Sequence, residues 1–226
     1  MKRSEINSII REMEQLITDY RISLPPFCNW TPEQWQHRGH EYDEIRDNML
    51  GWDITDYGLN NYNNTGFALI TLRSGSQTDD RYPKPYAEKL LYLRENQLAP
   101  MHFHWIKMED IINRGGGDLD ITVYNDDGNG GLADTNVTVH SDGRVYTVPA
   151  GTAIRLHPGE SITITPYLYH EFHGVPGTGS VLIGEVSRCN DDSSDNRFYE
   201  PIGRFPAIEE DEEPYRLLCF EYPPAQ

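Results

Sequence analysis

Met101-His102-Phe103-His104-Trp105-Ile106-Lys107-Met108-Glu109, with Gly115-Gly116-Gly117 soon after, reads most simply as a β-strand running into a loop. On a strand, residues i and i+2 point to the same face, so the imidazoles of His102 and His104 project together. Glu109 follows five residues later, near enough for a loop to return a carboxylate to the same point. Lys107 lies between His104 and Glu109 and cannot be far from anything they hold. Such a pair of imidazoles needs strands on either side to fix it.

The surrounding sequence supplies those strands. Phe67–Leu72, Glu88–Leu93, Leu119–Tyr124, Thr152–Leu156, Ser161–Thr165 and Val181–Val186 are strand candidates. Val137–His140 and Arg144–Val148 flank Ser141-Asp142-Gly143, whose Asp-Gly step signals a hairpin. Short strands every 8–12 residues, punctuated by Gly and Pro, indicate an antiparallel sandwich or barrel. No helical pattern of useful length interrupts residues 67–190, so an all-β fold is expected. Helix is confined to the start. Ile6, Ile9, Ile10, Met13, Leu16 and Ile17 repeat at helical spacing, and Thr31-Pro32-Glu33-Gln34 has the form of a capping box. Weaker helical signal runs from Glu41 to Met49. The expected organisation is an N-terminal helical segment, 1–60, packed on a barrel domain, 61–226. The acidic run Ile208–Pro214 reads as a solvated loop and Leu217–Tyr222 as a last strand.

Composition narrows the function. Among 226 residues, 36 Asp and Glu outweigh 19 Lys and Arg, and a net charge of −17 argues against nucleic acid and anionic membrane as partners. Cys28, Cys189 and Cys219 are too scattered for a disulfide framework and fit a reducing compartment, so the cytoplasm is the expected location. Neither a secretory h-region nor an apolar run of about 18 residues is present. Two strand residues are out of keeping with their neighbours. Lys89 alternates with Leu91 and Leu93 on one face, and Glu185 stands among Leu182, Ile183 and Val186. Charges at such positions are costly unless used, so both are candidate acid/base groups. Glu200 and Arg197, in the 195–201 loop, could close over a substrate, and Trp105, Tyr169 and Phe172 could line its site.

HxH, four residues, Glu, then Gly seven beyond resembles the first metal motif of the cupin superfamily, a β-barrel fold. Its second motif places a further His on a later strand. Pro158-Gly159 followed by the strand and Pro166-Tyr167-Leu168-Tyr169-His170 is similar, which makes His170 the expected fourth ligand and His173 its rival. The second motif lacks its Gly and is one residue short, and Asn96 stands where a Gly is expected six residues before His102. Three imidazoles and a carboxylate, His102, His104, His170 and Glu109, suit divalent Mn, Fe, Co, Ni or Zn.

Over nearly its whole length the chain resembles the D-lyxose ketol-isomerases, metal-dependent cupin sugar isomerases of enteric bacteria. The resemblance rests on the segment beginning Lys2-Arg3-Ser4-Glu5-Ile6-Asn7, the block Ala99–Ile111, and Arg197-Phe198-Tyr199-Glu200-Pro201. It implies isomerisation of D-lyxose to D-xylulose, with D-mannose a slower substrate, Mn²⁺ as the preferred metal, and a homodimer. Lys107 or Lys89, with Glu185 or Glu200, would then move the protons. A non-haem iron dioxygenase with the same donors and a non-catalytic sugar-binding cupin are the alternatives.

Overall fold

The computed structural model describes residues 1–189, 191, 194–203 and 206–226. Helix α1 (Arg3–Asp19), α2 (Pro32–Trp35) and α3 (Asp43–Asp47) come first, and α2 opens on the expected capping box of Thr31 and Gln34. The strands then run β1 (Gly51–Thr55), β2 (Phe67–Ser74), β3 (Tyr86–Leu93), β4 (Leu98–His104), β5 (Glu109–Gly116), β6 (Leu119–Asp126) and β7 (Leu132–Ala133). After them come β8 (Val137–Ser141), β9 (Arg144–Val148), β10 (Thr152–Leu156), β11 (Ser161–Ile164), β12 (Leu168–Gly174), β13 (Val181–Arg188) and β14 (Asn196–Phe198). The last helix ends at Asp47, within the Glu41–Met49 signal, and Gly51–Thr55, inside the 1–60 segment, joins the sheet.

Two antiparallel sheets build the fold. The larger has the order β1-β2-β3-β13-β5-β11-β8-β9, and the smaller β10-β6-β12-β4-β14 with β7 paired to β6. Between them lies an apolar core that includes Leu91, Ile111, Ile121, Val139, Ile164 and Ile183. This is the expected all-β barrel. On the outer face of the larger sheet sits α1. Ile6, Ile9, Ile10, Met13 and Ile17 are buried there against Trp52, Ile54, Ala68, Ile70, Leu90 and Tyr92. A 17-residue helix is marginal alone, but each such side chain gains about 1.5–3 kcal/mol on burial, so packing decides its stability. Strands β1, β2, β3 and β13 are consequently buried on both faces over most of their length, which is why Phe67–Leu72 of β2 reads as a nearly continuous apolar run.

Two expectations for the C-terminal region are corrected. The acidic run is irregular but not merely solvated: it clasps α1. Arg3, 2% exposed, forms ion pairs with Glu210 and Glu221, Asp211 accepts from the Ser4 amide and hydroxyl, and Glu212 accepts from Asn7. Leu217–Tyr222 is not a strand. It makes one isolated bridge, Leu218 to Trp52, and its apolar residues serve packing instead, with Tyr222 stacked 3.9 Å from Trp35.

Both departures from the cupin pattern have a backbone explanation. Asn96 adopts φ 63°, a left-handed conformation that Asn tolerates better than most residues, and Tyr167 takes φ 64° with its N–H bonded to the His104 carbonyl at 2.9 Å. The turns are kept without Gly. Gly116 of the first motif is different, because at φ 90° an added Cβ would fall 2.2 Å from the Ser180 carbonyl oxygen.

Candidate metal centre and active site

A bulge aims the histidines. Strand β12 pairs with β4 through His170 opposite His102 and Phe172 opposite Ala99, so β4 carries one extra residue between these pairs. Pro100 sits in that interval, where its missing N–H costs no ladder bond. Its carbonyl accepts from His102 Nδ1 at 2.7 Å. Beyond the bulge, His102 and His104 turn inward beside His170, and one nitrogen from each lies within 4.8 Å of the others. Glu109, the first residue of β5, faces them from the opposite sheet. Its Oε1 is 3.3 Å from His104 Nε2 and 3.2 Å from His170 Nε2. His173 is half-buried and does not belong to this cluster.

The donor set fits a divalent cation. A carbonyl can only accept, so the 2.9 Å bond from His170 Nδ1 to the Leu168 carbonyl puts the ring proton on Nδ1. Nε2 then presents a lone pair, is buried, has no hydrogen-bond partner among the described residues, and faces a carboxylate oxygen. Two lone pairs opposed in an apolar interior need a cation between them. Bonds of about 2.1 Å at right angles would put adjacent donors about 3 Å apart, close to the separations seen. The backbone carbonyls holding Nδ1 of His102 and His170 are the kind of partner that orients metal-ligating imidazoles. Divalent metal use follows from this geometry.

Electrostatics keep His102, His104 and Glu109 in forms able to bind a metal. Burial, reinforced by the neighbouring imidazoles, holds His102 well below the ordinary imidazole value, and burial with Lys107 lowers His104. Burial alone would raise the Glu109 carboxyl, but Lys107 and then His104 outweigh it and hold it well below the usual carboxylate range. A consequence can be measured on metal-free protein. Imidazoles depressed in the folded state are protonated more readily in the unfolded chain, so acid favours unfolding. Stability should be fully present above pH 6.5 and fall as pH drops below that ordinary value, in chemical denaturation followed by circular dichroism. A midpoint unchanged down to about pH 5 would contradict the assignment.

Beside the imidazoles runs a chain of buried charges. Lys107 Nζ is 2.6 Å from Glu109 Oε2 and 3.2 Å from Glu185 Oε1, and Lys89 Nζ is 3.3 Å from the same Glu185 oxygen. Lys89 on β3 and Glu185 on β13 are cross-strand partners, both pointing into the barrel. All four groups are at most 6% exposed. Each buried ion costs several kcal/mol of desolvation, and well-packed apolar residues would often be as stable, so the row is poorly explained by stability alone. With Phe172, these residues line one cavity.

Other candidates lie elsewhere. Glu200 is exposed and does not line this cavity. Trp105 is 41% exposed, Tyr169 is buried against Phe103, and Arg197 reaches the Tyr169 hydroxyl and the Gly130 carbonyl. Two polar residues escaped the sequence reading. Ser187 donates to Glu185 Oε1 at 3.1 Å and could have been found as the i+2 neighbour on β13. Asp195 accepts from the Ile106 and Lys107 amides at 2.8 and 3.0 Å. It gave no local signal, since 88 residues separate it from Lys107.

Comparison with known proteins gives the site its context. A model of the D-lyxose isomerase family matches residues 1–222. The chain is 48% identical over 223 residues to the D-lyxose/D-mannose isomerase of Serratia proteamaculans, and 47% identical over 223 residues to that of Escherichia coli O157:H7. In both cases 98% of each chain is covered. Among solved structures, the L-ribose isomerase of Cellulomonas parahominis with L-ribose superposes with a TM-score of 0.60. That match has 15% identity and covers 92% of this chain and 98% of the other, a likeness of fold. Whole-length identity near one half, together with the imidazole–carboxylate cluster, leads to one assignment: the chain belongs to the D-lyxose isomerase family, as an aldose–ketose isomerase.

Proposed function

We propose that this isomerase interconverts D-lyxose and D-xylulose, with D-mannose and D-fructose as a slower pair. The observation that carries the reading is the Lys107–Glu185–Lys89 row touching Glu109 in one buried cavity. Aldose–ketose isomerisation moves a hydrogen between C1 and C2 and a proton between their oxygens. It needs a carboxylate and a cation side by side, shielded from water. We assign His102, His104, Glu109 and His170 as ligands of a divalent ion: nitrogen–oxygen sites without thiolate suit Mn²⁺, Co²⁺, Fe²⁺, Ni²⁺ and Zn²⁺ alike, and the resemblance to the D-lyxose ketol-isomerases makes Mn²⁺ the preferred one. The bound ion supplies a Lewis acid that polarises the sugar carbonyl.

The chain's own groups do the rest. Glu185 takes the proton from one carbon and returns it to the next, the Lys107 ammonium gives a proton to one sugar oxygen and recovers it from the other, and Lys89 and Ser187 orient Glu185 Oε1. Lys107 stands between Glu185 and Glu109, where its ammonium offsets negative charge developing on the sugar oxygens. Glu200, exposed, takes no part in this scheme. A dioxygenase or a turnover-free sugar binder could use the same donors, but the full-length relatives are isomerases.

A homodimer in the cytoplasm completes the proposal. The exposed edge strand β9 offers pairing surface, and the three cysteines are buried free thiols. Among the described residues no helix is long and apolar enough to cross a membrane. The test is a sugar panel with Mn²⁺-loaded protein. Ketose should appear from D-lyxose fastest and from D-mannose more slowly. Absence of ketose from every aldose would refute the reading.

A further inference from the structure

We infer that Asp195 is a positioning residue for the isomerisation, setting Lys107 against Glu185 by gripping the backbone of the loop between β4 and β5. The inference rests on the role given to Lys107 above.

Three successive amides of that loop end on one residue. The Ile106 N–H donates to Asp195 Oδ1 at 2.8 Å and the Lys107 N–H to Oδ2 at 3.0 Å, while the Trp105 N–H donates to the Asp195 carbonyl at 3.1 Å. Asp195 is 5% exposed, and both its carboxylate oxygens accept from backbone amides. Two amides taken by one carboxylate are charge-assisted bonds, stronger than neutral ones and fixed in direction. The loop's other anchors lie at its ends, where the Trp105 ring meets Phe103 and Tyr167 and the Met108 carbonyl accepts from the Arg188 N–H at 2.9 Å. At its middle, the Ile106 side chain is 45% exposed and the two amides on Asp195 fix the backbone. Only Lys107, 3% exposed, turns inward.

The placement of Asp195 is itself fixed. The next residue, Asn196, opens β14 and pairs with His104, and the Asp195 N–H bonds to the Asp191 carbonyl at 2.9 Å. One side of the clamp is thus tied to the strand bearing two metal ligands. The other side holds the amide of Lys107. Because the side chain of Lys107 leaves a clamped backbone, its Nζ reaches both Glu109 and Glu185 without searching rotamers of the loop. Misplacement of a reacting group by about 1 Å can cost about 10²-fold in rate.

The test uses Asp195→Asn and Asp195→Glu in Mn²⁺-loaded, full-length protein, alone and combined with Lys107→Met. Asn turns an NH₂ toward an amide that needs an acceptor, and Glu moves both oxygens by a methylene. Either single variant should fold, keep one metal per chain, and lose roughly 10- to 100-fold in kcat with KM changed less than about threefold. In the Lys107→Met background the same substitution should cost less than about threefold more, since the group it positions is gone. An unchanged kcat overturns the inference. So does loss of bound metal, which would mean Asp195 acts through His104 or Glu109, and so does a full further loss in the Lys107→Met background. Failure of both variants to fold makes Asp195 structural and overturns it as well. Full activity of Lys107→Met itself would instead overturn the role of Lys107, and the inference with it.

Discussion

His170→Ala should lose the bound metal and at least about 10³-fold in isomerase activity while the far-UV circular dichroism stays that of the β-rich native chain. The side chain is fully buried, and among the described residues its Nε2 has no hydrogen-bond partner and faces the Glu109 carboxylate, so its removal costs the fold little at that nitrogen. Strand β12 keeps its pairing with β6 and β4, because that pairing is backbone. The barrel core of Leu91, Ile111, Ile183 and their neighbours does not depend on the imidazole. Metal content by elemental analysis and ketose formation are the readouts. Retention of one metal per chain would mean that the fourth ligand is wrongly assigned. His173 could not simply replace it, since it stands outside the imidazole cluster.

Lys107→Met should bind metal normally and isomerise roughly 10²–10⁴-fold more slowly, the range typical of a lost proton-transfer or charge-stabilising group. Methionine preserves length and apolar stem but deletes the ammonium that touches Glu109 and Glu185. The loss should fall on kcat, because the metal ligands remain to hold substrate. Removing one partner of a buried charge row leaves Glu109 and Glu185 less compensated, so some stability is lost too, commonly about 3–5 kcal/mol for a buried pair. Unfolding measurements made beside the kinetics separate the two effects. Activity within about threefold of the parent would remove Lys107 from the scheme and shift proton transfer to Lys89 with Glu185.

Much of this was legible because strict alternation survives in the strands that matter. His102 and His104 project together as i and i+2, and Lys89 and Glu185 stand out against Leu91 and Ile183 on inward faces. Strand β5 gives little strand signal, and Glu109 reads as part of a loop, because Glu, Asp, Asn and two Gly are poor strand formers. Only pairing with β13 and β11 makes them one. Strand β1 was read past as the end of a helical segment, since five residues containing Asp and Gly give no period to measure. Leu217–Tyr222 shows the reverse failure. A short apolar run can pack as well in irregular backbone as in a strand, and here Leu218 and Tyr222 do so. Asp195 lay beyond reach for a simpler reason. Its meaning is a contact made across 88 residues of chain.

The claim that the imidazole–carboxylate cluster is the reaction centre of an isomerase is met most directly by titration. Metal-stripped protein is supplied with Mn²⁺ in steps, without oxygen, and the rate of D-xylulose formation from D-lyxose is followed. The rate should rise from near zero in proportion to added Mn²⁺ and level off at one equivalent per chain. Ketose formation that persists without metal, or that begins only when oxygen is admitted, would contradict it.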